Sequence, residues 1–420
     1  MNRRSLVALV LSALPLCAAE PDWPQFRGPN RDDVSPDKGL LKSWPTDGPA
    51  VAWKAEGVGS GFSSVAVVGD KVLTMGDVGS TCYIFAVSRK NGSKLWDAKV
   101  GKSEGGGGYP GPRCTPTVDG DLVYAIGQFG DMVCVALADG RERWRVNFVK
   151  EFKGSSGSWG FAESPLVDGD KVLCTPGSPE ATMVALNKKS GKVVWKGKTP
   201  DGEHAGYSSI VVIRVAGIRQ YVTLTSNSVV SFAADTGKFL WRYGATRKKF
   251  ADNTANIPTV VLFDDPNLLF ASAGYGRGGA LFQVSFSGGR FDTKDVYWKE
   301  DLNNKHGGVV RVGDYLYDDE DDRGRIWCAE AKTGDRTWTR KDNSDGGGSA
   351  ALTYADSMLY VRYDNGWISL VSADPKAYQV ASSFRVPNGR GNCWAHPVVI
   401  GKKFYVREQD VIWCYDVAQK

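Results

Sequence analysis

The sequence predicts an all-β fold, an eight-bladed β-propeller of four-stranded antiparallel blades, on three observations. A glycine followed four residues later by a tryptophan occurs five times, at Gly92/Trp96, Gly140/Trp144, Gly191/Trp195, Gly237/Trp241 and Gly334/Trp338. Each pair closes a run of short strand-like segments, and self-similarity at a period of roughly 40 to 50 residues marks stacked four-strand units. A second motif, strand–Gly-Asp–strand, recurs at Gly69-Asp70, Gly120-Asp121, Gly169-Asp170 and Gly313-Asp314, with Gly401-Lys402 as a variant. These are hairpin turn residues. Third, the two ends of the chain complement each other. The last unit has only three strands, at His396–Ile400, Lys403–Glu408 and Val411–Val417, and Val51-Ala52-Trp53-Lys54 supplies the missing outer strand. An N-terminal strand completing the last blade closes the ring and removes its open edges.

Taken in order, residues 1–19 read as a secretory signal. Arg3 and Arg4 form a basic start, Leu6 to Leu16 an apolar stretch too short to span a bilayer, and Cys17-Ala18-Ala19 a small-residue cleavage site. Cleavage after Ala19 gives an exported, periplasmic or otherwise extracytoplasmic soluble protein. Residues 20–50 form an arm without strand alternation, Trp23-Pro24-Gln25-Phe26-Arg27-Gly28-Pro29-Asn30 at its start. It is expected to lie irregularly against the propeller, anchored by Trp23 and Phe26. Residues 51–418 form the propeller. In each blade the glycine makes the turn before the outer strand, where a positive φ is cheap without a Cβ. The indole fills the wedge between blades and donates its N–H to a backbone carbonyl. Blade 4 turns at Ala216-Gly217 and blade 7 at Ala355-Asp356. Blade 5 ends in Trp298 without the spaced glycine, and in blade 7 Phe384 replaces the tryptophan.

Composition narrows the function classes. Loss of Arg3 and Arg4 takes the formal charge from +5 to +3 (5 − 2), which gives no reason to expect a nucleic-acid partner. No later stretch is long and apolar enough for a membrane span. Seven of the eight cysteines follow the signal. Cys134, Cys328 and Cys414 fall at matching places in the third strands of non-adjacent blades and read as small buried hydrophobes. No Cys-x-x-Cys-His run offers haem attachment. Gly274 to Gly279 matches G-x-G-x-x-G, but a strand rather than a helix follows, so it reads as a hairpin. The acidic run Asp318-Asp319-Glu320-Asp321-Asp322 lacks calcium-loop spacing, since Arg323 stands where that loop needs Gly. It is expected to be a solvated hairpin loop, and no metal site is assigned.

Ligand or partner binding is expected at the mouth of the central channel, in the segments leading into the first strands. All three histidines, His204, His306 and His396, fall in or just before those segments. Trp159, Tyr207 and Trp394 add aromatic surface there, and Arg113, Glu163, Asn256 and Lys305 add polar groups. Trp159 and Trp394, if exposed, would also suit stacking on the rings of a polysaccharide.

The repeat Ala-x-x-x-Thr-Gly-x-x-x-Trp resembles that of the PQQ-like propellers, a superfamily of quinoprotein alcohol dehydrogenases and BamB-like assembly proteins. The resemblance covers about Val51 to Val417 and implies the fold strongly and the function weakly. It implies two alternatives: a protein- or peptide-binding scaffold of the cell envelope without a cofactor, or a dehydrogenase holding pyrroloquinoline quinone (PQQ) with calcium. In the dehydrogenases a vicinal disulfide covers the quinone, a Glu and an Asn hold calcium, and an Asp is the base. Glu163 and Asn256 match in order. Cys114 has no adjacent cysteine, and His306-Gly307-Gly308 stands where the Asp is needed. No catalytic residue is therefore assigned, and the binding scaffold is the reading carried forward.

Overall fold

The computed structural model describes residues 20–103, 108–341, 346–387, 389 and 392–419; the expected signal at 1–19 lies outside them. Eight four-stranded antiparallel sheets form the molecule. Blade 1 consists of Ala66–Val68, Lys71–Val78, Thr81–Ser88 and Lys94–Lys102, and later blades repeat the order. Val51–Glu56 pairs antiparallel with Val411–Asp416, Trp53 opposite Cys414, and so completes blade 8 from the N-terminal side.

The wedge geometry explains the spacing of glycine and tryptophan. Indole N–H groups cross to the next blade: Trp53 to Arg89 O (2.9 Å), Trp96 to Leu137 O (3.1 Å), Trp144 to Lys188 O (2.9 Å), Trp195 to Ala234 O (3.2 Å) and Trp338 to Asp374 O (2.8 Å). The repeat glycine serves its neighbour as well as its own turn. A Cβ on Gly92 would lie 2.6 Å from Trp53, and one on Gly140 2.6 Å from Trp96. Both glycines also hold φ near +72° (73° and 72°), so they combine a left-handed turn with a close approach.

Three blades depart from the expected residues. In blade 5 the wedge residue is Tyr297, not Trp298: it directly follows the strand's register shift, packs on Gly334 and donates its hydroxyl to Ala331 O at 2.9 Å. Trp298 bonds Arg277 O inside its own blade. Blade 5 also carries a long hairpin, Gly278–Ser287 with Arg290–Lys299, in place of the usual glycine turn. Trp241 bonds Gln220 Oε1 (2.7 Å) in its own blade. In blade 7 Ser382, not Phe384, occupies the repeat position. Trp44 of the arm fills that wedge, 5.5 Å from Phe384 and stacked 5.9 Å from Phe404, with its backbone N–H on Ser382 Oγ at 2.9 Å. The blade 7 turn is Asp356-Ser357 (φ 47° and 67°), one residue later than expected.

Only the end of the acidic run, from Asp321, is a turn at the surface. Asp318 and Asp319 lie in the strand Tyr315–Glu320 with 0% exposure. Asp319 accepts from Asn304 Nδ2 (2.8 Å) and Ala350 N (3.0 Å). Burial pushes both carboxyls well above the ordinary range. The strand simply continues three residues into the acidic run, to Glu320. All seven cysteines of the described residues are buried and free, and Cys134, Cys328 and Cys414 each sit opposite a wedge tryptophan.

The arm does more than lie against the body. Trp23 exchanges two backbone bonds with Val67 (2.7 and 2.8 Å), and Pro24 O accepts from Val118 N (2.8 Å). Arg27 then donates to Val309 O (2.6 Å), and Arg31 to Ser164 O and Ile210 O (both 3.1 Å) and to Pro165 O. Ser35 N meets Tyr354 O (2.8 Å), and Asp37 accepts from Lys402 N (2.6 Å). Within fifteen residues the chain thus meets seven of the eight blades, which only a path across the axis allows. The arm closes the channel at the end where each first strand turns into its second. Carbonyls facing the axis need donors, and two guanidiniums supply them.

Candidate functional site

Above this floor, at the other end of the channel, the first-strand approaches enclose a cavity of about 210 Å³. Its floor is Phe26, whose ring meets His396 edge-on at 4.8 Å. Its walls are aromatic rings in contact. Trp394 lies 4.6 Å from Phe62, 4.6 Å from His306 and 5.0 Å from Tyr109, which in turn lies 5.6 Å from Trp159. Tyr207 and Tyr275 complete the lining.

Of the residues expected here, Arg113, Trp159, Tyr207, Lys305, His306, Trp394 and His396 do line the cavity. Three do not. His204 is exposed on a loop whose carbonyl takes Ser226 N. Glu163 lies between two lining residues, Ala162 and Ser164, and Asn256 between Ala255 and Ile257. Side chains in extended backbone alternate, so both point away. Trp159 and Trp394 are half-buried rather than exposed. Phe26, Tyr109 and Tyr275 escaped the sequence reading because irregular segments carry them, with no periodicity to show where they point.

The turned-away residues are committed elsewhere. Asn256 Nδ2 donates to Thr225 O (2.9 Å), Ser226 O (3.0 Å) and Phe250 O (2.9 Å), and its Oδ1 accepts from Asn253 (2.8 Å). It ties a loop. Glu163 Oε1 accepts from Thr175 N, and Oε2 has no partner. Burial raises Glu163 to about 7, partly offset by bonds from Thr175 and by Arg31. The two residues expected to hold calcium therefore form no common site. Among the described residues no group of three or more His, Cys, Asp or Glu side chains is placed to hold a metal ion. The quinone–calcium pair does not fit this donor set.

Charge at the cavity is one-sided. Among the described residues no carboxylate lines it, while Arg27, Arg113 and Lys305 do. Arg27 is paired with Asp33 (2.9 Å) and Lys305 with Asp322 (2.5 Å). Arg113 has no ion pair among the described residues. It donates to Gly111 O and Tyr109 O (both 2.9 Å) and lies 5.1 Å from the Phe62 ring. Burial lowers its pKa to about 10, still a full cation at neutral pH. Burial, and then Lys305, hold His306 down at about 3, so it is neutral. His396 is pinned, Nδ1 3.1 Å from Asp33 and Nε2 3.1 Å from His306 O.

A family profile described as outer membrane protein assembly factor BamB matches residues 80–340. The protein of that name from Shewanella oneidensis is 25% identical over 263 residues, 59% of this chain and 61% of the relative. Quinohemoprotein alcohol dehydrogenase ADH IIB of Pseudomonas putida is 25% identical over 271 residues, 61% of this chain and 32% of the relative. The matched region spans less than two thirds of either relative. Among solved structures, BamB from Moraxella catarrhalis superposes with a TM-score of 0.58 at 16% identity, over 85% of this chain and 94% of that one. Quinohemoprotein alcohol dehydrogenase from Comamonas testosteroni gives 0.67 at 13%, over 96% and 81%. At these identities the structural likeness is one of fold.

Proposed function

The chain belongs to the PQQ-like propeller family described as outer membrane protein assembly factor BamB, and from that premise we propose that it is a non-catalytic, exported propeller that works by binding in the cell envelope. One observation carries the reading. The channel mouth is an aromatic cavity with no carboxylate among the described residues that line it, while Glu163 and Asn256 face the fold instead. A proton-abstracting residue must reach the substrate. Of the histidines at the wall, His306 is neutral and stacked, and His396 is held at both nitrogens. The signal-like residues 1–19 and the relatives' stated role in outer-membrane assembly support an envelope location and a protein or peptide partner. No helix of the described residues is long and apolar enough to cross a membrane.

The quinoprotein reading is tested by native mass spectrometry of the protein with PQQ and calcium. No adduct at saturating cofactor is the expected result. A stoichiometric adduct lost in Glu163→Ala and Asn256→Ala would overturn the proposal. Cross-linking in the intact envelope then identifies the partner; recovery of the chain only as an uncross-linked species would count against a scaffold.

A further inference from the structure

Resting on the reading of the channel mouth as a binding site, we propose that the cavity takes a small organic monoanion with one flat ring system, its carboxylate held by Arg113. Three observations converge on that class. First, the walls are rings: Phe26, Phe62, Tyr109, Trp159, Tyr275 and Trp394 offer faces and edges, which match a flat apolar body. Second, the charge count is one. Lys305 is neutralised by Asp322 and Arg27 by Asp33, which leaves Arg113 as the lining cation without an ion pair among the described residues. His306 adds no charge. Third, Arg113 retains donors. Of five guanidinium N–H groups, Gly111 O and Tyr109 O take two. The rest suit a carboxylate, which Arg recognises through paired N–H···O bonds.

The same facts exclude other classes. A cationic ligand would meet Arg113 with no counter-charge. A tricarboxylate such as PQQ would bring two charges that nothing at the wall balances. A buried, unmatched charge is costly, so a single negative charge is the stable solution. The volume of about 210 Å³ accommodates one ring system and its side chain.

The probes are indole-3-acetate and phenylacetate, with phenylacetamide and phenethylamine as neutral and cationic isosteres. Titration calorimetry and quenching of tryptophan fluorescence read the binding. Saturable one-to-one binding of the acids is expected, with the amide at least about ten-fold weaker and the amine silent. Arg113→Gln should weaken the acids about ten-fold or more and leave the amide unchanged, which also shows that the variant's cavity is intact. Equal affinity for acid and amine, acid binding indifferent to Arg113→Gln, or no binding of either acid would overturn the proposal. Any of these without a PQQ–calcium adduct sinks the ligand class alone and leaves the binding reading. A PQQ–calcium adduct sinks both.

Discussion

Arg31 and Arg113 are two guanidiniums at opposite ends of one channel, and they differ in what surrounds them. Arg31 is 5% exposed and spends its N–H groups on the carbonyls of Ser164, Pro165 and Ile210 and on Gln25. Burial lowers its pKa to about 10, as it does for Arg113. Arg113 lines a cavity with donors left over. The same side chain therefore finishes the fold at one end and leaves an opening at the other. The lesson is that charge and burial alone do not mark a functional arginine; unspent donors beside an empty volume do.

The largest effect that would sharpen this contrast comes from Arg31→Ala. It strips three buried carbonyls of their donor, and a loss of about 4 kcal/mol is expected in denaturant unfolding. The arm should also become sensitive to protease. A loss under about 1 kcal/mol would mean that the arm is merely draped. Next is Trp44→Ala, which empties the wedge between blades 7 and 8 and should cost about 3 kcal/mol. A neutral result would restore Phe384 as the wedge residue.

Glu163, beside Arg31, gives a pH signature. Its folded pKa of about 7 is raised above the ordinary 4.5. The folded state therefore holds the proton more tightly, and this contribution is full below about 4.5 and lost as pH rises to about 7. Glu163→Gln should remove up to about 3 kcal/mol of that decline, read as a flatter profile of stability against pH. An unchanged profile would mean that the side chain is solvated. The smallest effect belongs to Arg113→Gln, expected within about 1 kcal/mol in stability because only the two bonds to Gly111 O and Tyr109 O, both on its own loop, are lost. A loss as large as that of Arg31→Ala would erase the distinction between the two ends.

The blades were legible because their determinants are local. Alternation, Gly-Asp turns and the glycine–tryptophan spacing all act within a few residues. Val51–Glu56 was legible as the closing strand because Trp53 carries the same mark. Seven cavity residues were legible from their place before the first strands. The misreadings share one cause. Tyr297, Ser382 and Trp44 exchange roles because a lengthened hairpin and the arm alter who faces a wedge. Glu163 and Asn256 sit in the right segment but on the wrong side of it, a difference of one residue in a period of two.

By itself, the sequence determined the repeat, the number of blades and the closure of the ring, since each rests on turn chemistry and pairing that a short stretch contains. Tertiary structure alone decided that the arm crosses the axis, that Arg31 is consumed there, and that Arg113 is not. Those outcomes depend on carbonyls contributed by distant blades, which face one another only once the ring has closed.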